Sequence, residues 1–293
     1  MIIQVPHSIK SDFEGFSFFV DMLQKTNSLH NRDIVITFSQ NTWFEANLCS
    51  VLGSVVNIIQ ANNNNVQISV TGQLRDLFMR NQFAAHFGLE KIDDPNYTTI
   101  KYRKYKLTDE KLIKEYLDAE LLGHTDFPRL FGLLRKEITR SIFEIFSNAI
   151  LHGHCEYVYS CGQYYPRKSP PRIDLTIVDI GQTIKANVNN YLGKSYSGTD
   201  AILWAVKENN TTKPVKGNIP GGLGFKLIQD FIHVNKGKIQ IVSSNGYWQY
   251  VRGEIFTANF DHEFPGTIIN IEFNLDDSIV YYFKNEDISD IKF

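Results

Sequence analysis

The chain has 293 residues, of which 43% are hydrophobic and 13% aromatic, with a formal net charge of −2. This apolar content can build a real core and excludes wholesale disorder. The near-neutral balance excludes a global electrostatic footprint for nucleic acid or an anionic membrane, and no stretch reaches the length of a membrane span.

Taken in chain order, "DIVITF" (33–38) is rich in β-branched residues and reads as a buried strand. "WFEANLCSVLGSVVNIIQ" (43–60) has apolar residues at helical spacing, and the asparagine run after it breaks the helix. "VQISV" (66–70) is a second strand, and "QLRDLFMRNQFAAHFG" (73–88) a second helix stopped by Gly88. Strand, helix, strand, helix at this spacing predicts a βαβα unit with a mixed or parallel sheet. A further strand falls within 95–107. Its run "KYRKYK" (101–106) interleaves lysine and arginine with aromatics, a pattern that suits a phosphate backbone and equally an edge strand protected by lysines, the reading preferred. A charged helix capped by Thr108 and ended by Gly123 follows.

A domain boundary is expected near residue 124, dividing the chain into 1–124 and 125–293. A long helix runs from near Pro128 to His152. Strands follow at 156–161 and 172–181, and helical segments at 183–192 and 198–209. A polar stretch with glycine and proline, "NNTTKPVKGNIPGGLG", leads into the helix "FKLIQDFIHVN". Strands at 238–244, 247–260 (irregular) and 266–275 close the chain.

Three cysteines, Cys49, Cys155 and Cys161, are an odd number in a chain too large to need disulfides, which favours a reducing compartment. The first residues carry Asp12 and Glu14 and no sustained apolar core, so no signal peptide is expected and the protein reads as soluble and cytoplasmic. His152, His154, Cys155 and Cys161 cluster without the spacing of a standard zinc site.

Three pieces carry chemistry. Glu144 and Asn148, at i and i+4, share one helix face. "DIG", Asp179 to Gly181, ends an apolar strand: the carboxylate can accept from an exocyclic amine, and the glycine lets a flat ring approach the backbone. "PGGLGFKLI" places glycines at the start of a helix, where free N–H groups bind phosphate. Each piece alone has a structural reading: a polar i,i+4 pair, an Asp-x-Gly turn, a flexible loop. The Walker A spacing is missing, and so is a dinucleotide fingerprint after a first strand.

In this order the set resembles the GHKL (Bergerat-fold, histidine-kinase-like) ATPase superfamily over roughly residues 125 to 275. The resemblance implies an α/β sandwich with a mixed sheet, and ATP and Mg²⁺ as ligands. It makes Glu144 the catalytic base, Asn148 the metal ligand, and Asp179 with Gly181 the adenine contact, with Thr267 near the adenine end. The run Gly221, Gly222, Leu223, Gly224 and Phe225 would hold the triphosphate. Residues 210 to 220 would form a lid, with Lys213, Lys216 and Lys226 as phosphate candidates. The sequence departs from the family where Thr183 replaces the second glycine of the Asp-x-Gly-x-Gly box. That threonine also suits a cap for the next helix.

"NAILHG" is similar to the corresponding run of anti-sigma-factor serine kinases. The N-terminal half resembles a STAS domain, the fold of their antagonists, which implies a protein partner for that half. Asn47 falls where the STAS phosphoacceptor serine would stand, and Ser50 lies one turn later. A sensor histidine kinase does not fit, because His124 precedes Asn148 by only 24 residues. The sequence leads to a Mg²⁺-dependent ATPase that switches a lid and a partner interaction. The alternatives are a nucleotide-gated binding module and a serine kinase. No nucleic acid or membrane partner is expected, and a homodimer is left open.

Overall fold

The computed structural model describes residues 1–40, 42–106, 108–153, 155–207, 210, 212, 223–275, 278–284 and 286, with side chains for all of these except 150–153, 223 and 224. The N-terminal part runs β1 (Ile2–Gln4), β2 (Ser8–Ile9), α1 (Phe13–Thr26), β3 (Asp33–Thr37), β4 (Trp43–Phe44), α2 (Cys49–Ala61), β5 (Asn65–Ser69) and α3 (Gly72–Arg80). β1, β3 and β5 form a three-stranded parallel sheet in that order, and β2 pairs with β4. Asp12 starts α1 by accepting from the Gly15 N–H at 2.9 Å, which satisfies a first-turn donor. Side chains alternate along β3, so Ile34 and Ile36 are fully buried in the core that α1 and α2 share.

Two expected helices are shorter than their periodicity suggests. The one from Trp43 begins only at Cys49, because Trp43 and Phe44 pair with Ser8 and Ile9 and a 3₁₀ turn at Ala46–Leu48 intervenes. The one over 73–88 ends at Arg80. There the Asn81 side chain accepts from the Phe83 N–H and Gln82 adopts φ 65°, before a 3₁₀ turn at Ala84–Phe87.

The chain continues as β6 (Thr99–Lys106), α4 (Glu110–Tyr116) with a π-helical extension at Leu117–Leu122, β7 (Arg129–Leu130), α5 (Gly132–Gly153), β8 (Tyr157–Tyr165) and β9 (Arg172–Asp179). Then come α6 (Ile184–Leu192), α7 (Gly198–Ala205), α8 (Leu223–Asn235), β10 (Lys238–Val251), β11 (Glu254–Asn274) and β12 (Val280–Tyr281). Thr108 does not cap α4. Asp109 stands at its start, and its carboxylate accepts from the Lys106 N–H instead.

A five-stranded sheet has the order β10-β11-β9-β8-β6. The sheet expected to be mixed is antiparallel in all four pairings. For two of the pairings the physical reason is connectivity: β8–β9 and β10–β11 are sequence neighbours joined by short loops, which can only fold back. The irregular strand expected at 247–260 contains a hairpin. Arg252 and Gly253 take φ 52° and 89°, the two positive values a tight primed turn requires. β6 forms the edge of this sheet, although it precedes residue 124.

The five-stranded sheet is covered on both faces. On one, α5 and α8 bring Ile142, Phe146, Ile228 and Ile232 against Leu175, Ile177 and Ile271. On the other, the helices of the N-terminal part bring Phe16, Leu48, Val51 and Val55 toward Tyr159, Val178 and Ile268. That second face also carries a buried polar layer. The Asn47 amide donates to Ser11 Oγ (2.7 Å), Thr176 Oγ1 (2.9 Å) and Asn270 Oδ1 (3.0 Å). Asn270 in turn donates to Gln240 at 2.8 Å. Beside it, Arg172 lies within 3.1 Å of Glu45, Asp174 and Glu272. The hydrogen bonds of Asn47 and Asn270 tie the two layers together.

Candidate functional site

α5 points Glu144 and Asn148 into a cavity of about 200 Å³ between itself, α6 and the sheet. The i,i+4 spacing puts both polar side chains on the face that also buries Ile145 and Ala149. Opposite them, β9 ends at Asp179, which the sheet register sets directly across from Thr267 on β11. Asp179 and Thr267 both line the cavity, as does Phe225 in the first turn of α8. Five of the residues singled out in the sequence, drawn from four separate elements, therefore meet at one cavity.

Two polar atoms in it are conspicuous. Asn148 Oδ1 and Asp179 Oδ1 are buried and have no hydrogen-bond partner among the described residues. Asp179 is 6% exposed, and burial pushes its carboxyl well above the usual carboxylate range, opposed only by the backbone N–H of Thr267. Burial and the nearby Asp179 carboxylate also push the Cys155 thiol up to about 12. This thiol donates to the Ala149 carbonyl at 3.2 Å and is not a nucleophile at neutral pH. Cys155 and Cys161 belong to different core clusters, on opposite sides of the sheet. No group of three or more His, Cys, Asp and Glu side chains suited to a metal occurs among the described residues.

The remaining candidates fall elsewhere. Thr183 caps α6, accepting from the Ala186 N–H at 3.1 Å, and neither it nor Gly181 lines the cavity. Lys226 pairs with Asp230 on its own helix at 2.7 Å. Leu223 and Gly224 start α8. Lys213, Lys216, Gly221 and Gly222 lie outside the described residues.

Several contributors carry no motif. Ile184, Asn187 and Val188 line the cavity from α6; their i, i+3, i+4 spacing is the only signal that could have found them. Trp204 closes another side. Ser243 ties the site together: its hydroxyl accepts from the Ile184 N–H (2.9 Å) and donates to the Gly266 carbonyl (2.8 Å). Gly266 has φ 157°, and a Cβ there would stand 2.0 Å from the Asp179 carbonyl oxygen. Only glycine lets β11 pass that close to the end of β9.

Chemically, the cavity offers apolar walls for a flat ring and a buried acceptor at Asp179. An amide oxygen and a carboxylate, Asn148 and Glu144, stand on the opposite helix. Hard divalent cations prefer such oxygens. No protein-family model and no curated protein matches this chain.

Proposed function

We propose that the protein binds Mg·ATP in this cavity and hydrolyses it, acting as a nucleotide-dependent switch of the GHKL type. The observation that carries the reading is the pair of buried oxygens, Asp179 Oδ1 and Asn148 Oδ1, in one cavity and without a partner among the described residues. A buried acceptor without a partner is costly, and such atoms call for a ligand donor or a cation.

Asp179 recognises the base. Its free oxygen accepts from an exocyclic amine, whereas the carbonyl of guanine at the same position would meet it acceptor to acceptor. Ile177, Ile184 and Val188 give the ring apolar contact. The phosphates would lie toward α8, whose first-turn N–H groups favour anions. The described lining holds two carboxylates, Glu144 and Asp179, and no lysine or arginine. A triphosphate beside Glu144 therefore needs a divalent cation, and Asn148 supplies a neutral oxygen for it. A divalent cation held there by Asn148 would supply the positive charge that the described lining lacks. Glu144 holds, or takes a proton from, the attacking water.

A kinase acting on its own N-terminal half is the weaker reading. Asn47 has no hydroxyl, and Ser50 is fully buried with its hydroxyl donating to the Asn47 carbonyl at 2.8 Å. The test is calorimetric titration of the full chain with Mg·ATP and Mg·GTP, paired with phosphate release. Adenine-selective binding with slow turnover is expected. Equal affinity for GTP would remove the role of Asp179, and absence of both ligands' binding would remove the reading.

A further inference from the structure

The three-stranded sheet stops one strand early. A β-α-β-α-β chain ordinarily lays the strand after α3 beside β5. Here that strand, β6, pairs instead with β8 in the other sheet. β5 is thus an edge, bonded only to β3. Asn65 donates to the Arg32 carbonyl, and the Ser69 carbonyl accepts from Phe38. Backbone direction alternates along a strand, so Asn65, Gln67 and Ser69 turn toward β3. The N–H and C=O groups of Val66, Ile68 and Val70 turn outward, and no backbone partner for them occurs among the described residues.

Beside this edge lies a cavity of about 400 Å³. It runs between β5 and the 3₁₀ turn at Ala84–Phe87, with Val66, Ile68, Phe78, Phe83, Phe87 and Leu89 in its lining. His86 lines the cavity, and Arg103, Lys104 and Lys91 are near enough to act on its charge, although none of the three lines the cavity itself. Arg103 is held there by Gln82 at 2.9 Å, and Lys104 by Asn57 at 2.8 Å. Two cations of β6 thus stand near His86, Lys104 also lying 3.8 Å from the centre of the Tyr157 ring.

We propose that the outer edge of β5 and the groove beside it dock an extended, acidic segment of a partner protein as a fourth strand of this sheet. Main-chain bonds to Val66, Ile68 and Val70 give affinity, alternate apolar side chains enter the groove, and carboxylates meet Arg103, Lys104 and Lys91. Open edges are commonly blunted by charge or proline, and β5, with the sequence NVQIS, carries neither. The site lies on the N-terminal part and does not depend on the nucleotide reading.

The test uses the full chain without nucleotide, as wild type and as Ile68→Pro. Proline removes an outward N–H and spares the β3 ladder, the one placement an edge strand tolerates. A displayed library of short random peptides is panned against both, and enriched peptides are synthesised and titrated. The expected peptides alternate apolar and acidic residues, bind Ile68→Pro about tenfold more weakly or worse, and lose affinity with Lys91→Glu. Hydrogen exchange at Val66 and Ile68 slows when they bind. That exchange measurement on wild type stands even if Ile68→Pro fails to fold. No enrichment, peptides that are basic, unchanged exchange, or a dimer of this chain formed through the same edge would each overturn the proposal.

Discussion

Asn47 and Asn270 stand 223 residues apart in sequence and share a 3.0 Å hydrogen bond in the fully buried layer between the N-terminal helices and the five-stranded sheet. The Asn47 amide also serves Ser11 and Thr176, so one side chain stitches three elements. Truncation removes the donor to the Ser11 and Thr176 hydroxyl oxygens, while Asn270 Oδ1 still accepts from Thr176 at 2.7 Å. Asn47→Ala is expected to cost about 1–3 kcal/mol, read as a lower urea midpoint. Asn47→Asp should cost more at neutral pH, because it sets a carboxylate against the Asn270 oxygen. That extra loss should shrink as pH falls and the new carboxyl protonates. A midpoint unchanged in both variants would mean the layer contributes nothing to stability.

Arg172 is the only cation within 4 Å of Glu45 and Asp174 among the described residues, while Glu272 also has Lys238 at 3.3 Å. Burial pushes the Asp174 carboxyl up even with Arg172 beside it. Arg172→Met keeps much of the volume and strands these carboxylates. Removing one partner of such a buried cluster costs about 3–5 kcal/mol. Chemical denaturation should show this loss at pH 7, with partial recovery in acid. A variant as stable as wild type at pH 7 would show that solvent reaches the cluster.

Asp179→Asn should separate stability from binding. The folded carboxyl titrates above its unfolded value of roughly 3.9, so the folded state holds its proton longer. Stability is then greatest below the unfolded pKa and declines as pH rises toward the folded one. The neutral amide avoids that decline. Thermal melting of the nucleotide-free variant at pH 7 should rise, by roughly 2–4 °C for each kcal/mol relieved in a domain of comparable size. Mg·ATP affinity should fall, since the amide can present a donor where an acceptor is needed. A melting point below wild type would mean the carboxylate is stabilised by contacts other than Thr267.

How the sheet is built explains what the sequence leaves unreadable. The β3-α2-β5 unit, helix α5 with Glu144 and Asn148, and the strand ending at Asp179 are all visible as local periodicity, where neighbours in sequence share a face, whereas β1 and α1 are not among the expected elements. The transfer of β6 to the second sheet is not local. It depends on pairing with β8, dozens of residues later, and nothing in "KYRKYK" specifies that partner. Arg252–Gly253 hides a hairpin because Arg gives no turn signal at positive φ. The contribution of α6 to the cavity is legible only as an ordinary amphipathic stripe. Asn81 ends α3 through a side-chain bond to Phe83 that competes with an otherwise continuous helical pattern.

Glu144→Gln and Asn148→Ala should fail differently. Glu144→Gln keeps size and hydrogen bonding, so ATP should still bind while turnover falls by roughly 10²–10⁴-fold. Asn148→Ala removes the oxygen offered to the cation, so Mg²⁺-dependent affinity itself should weaken. Neither opens a large apolar cavity, and both should remain folded. Wild-type turnover in Glu144→Gln, or unchanged Mg·ATP affinity in Asn148→Ala, would withdraw the corresponding role.

The layer between the N-terminal helices and the sheet has a consequence during synthesis. The ribosome makes Asn47 long before Asn270, and at about 5–20 residues per second the wait is roughly 10–45 s. Throughout it, α1 and α2 carry Phe16, Val51 and Val55 without the strands that will cover them. The nascent chain thus presents a sticky, unfinished surface for longer than most local structure takes to form. A holding chaperone would act on this surface, and slow translation would extend the time at which the protein is most exposed to aggregation.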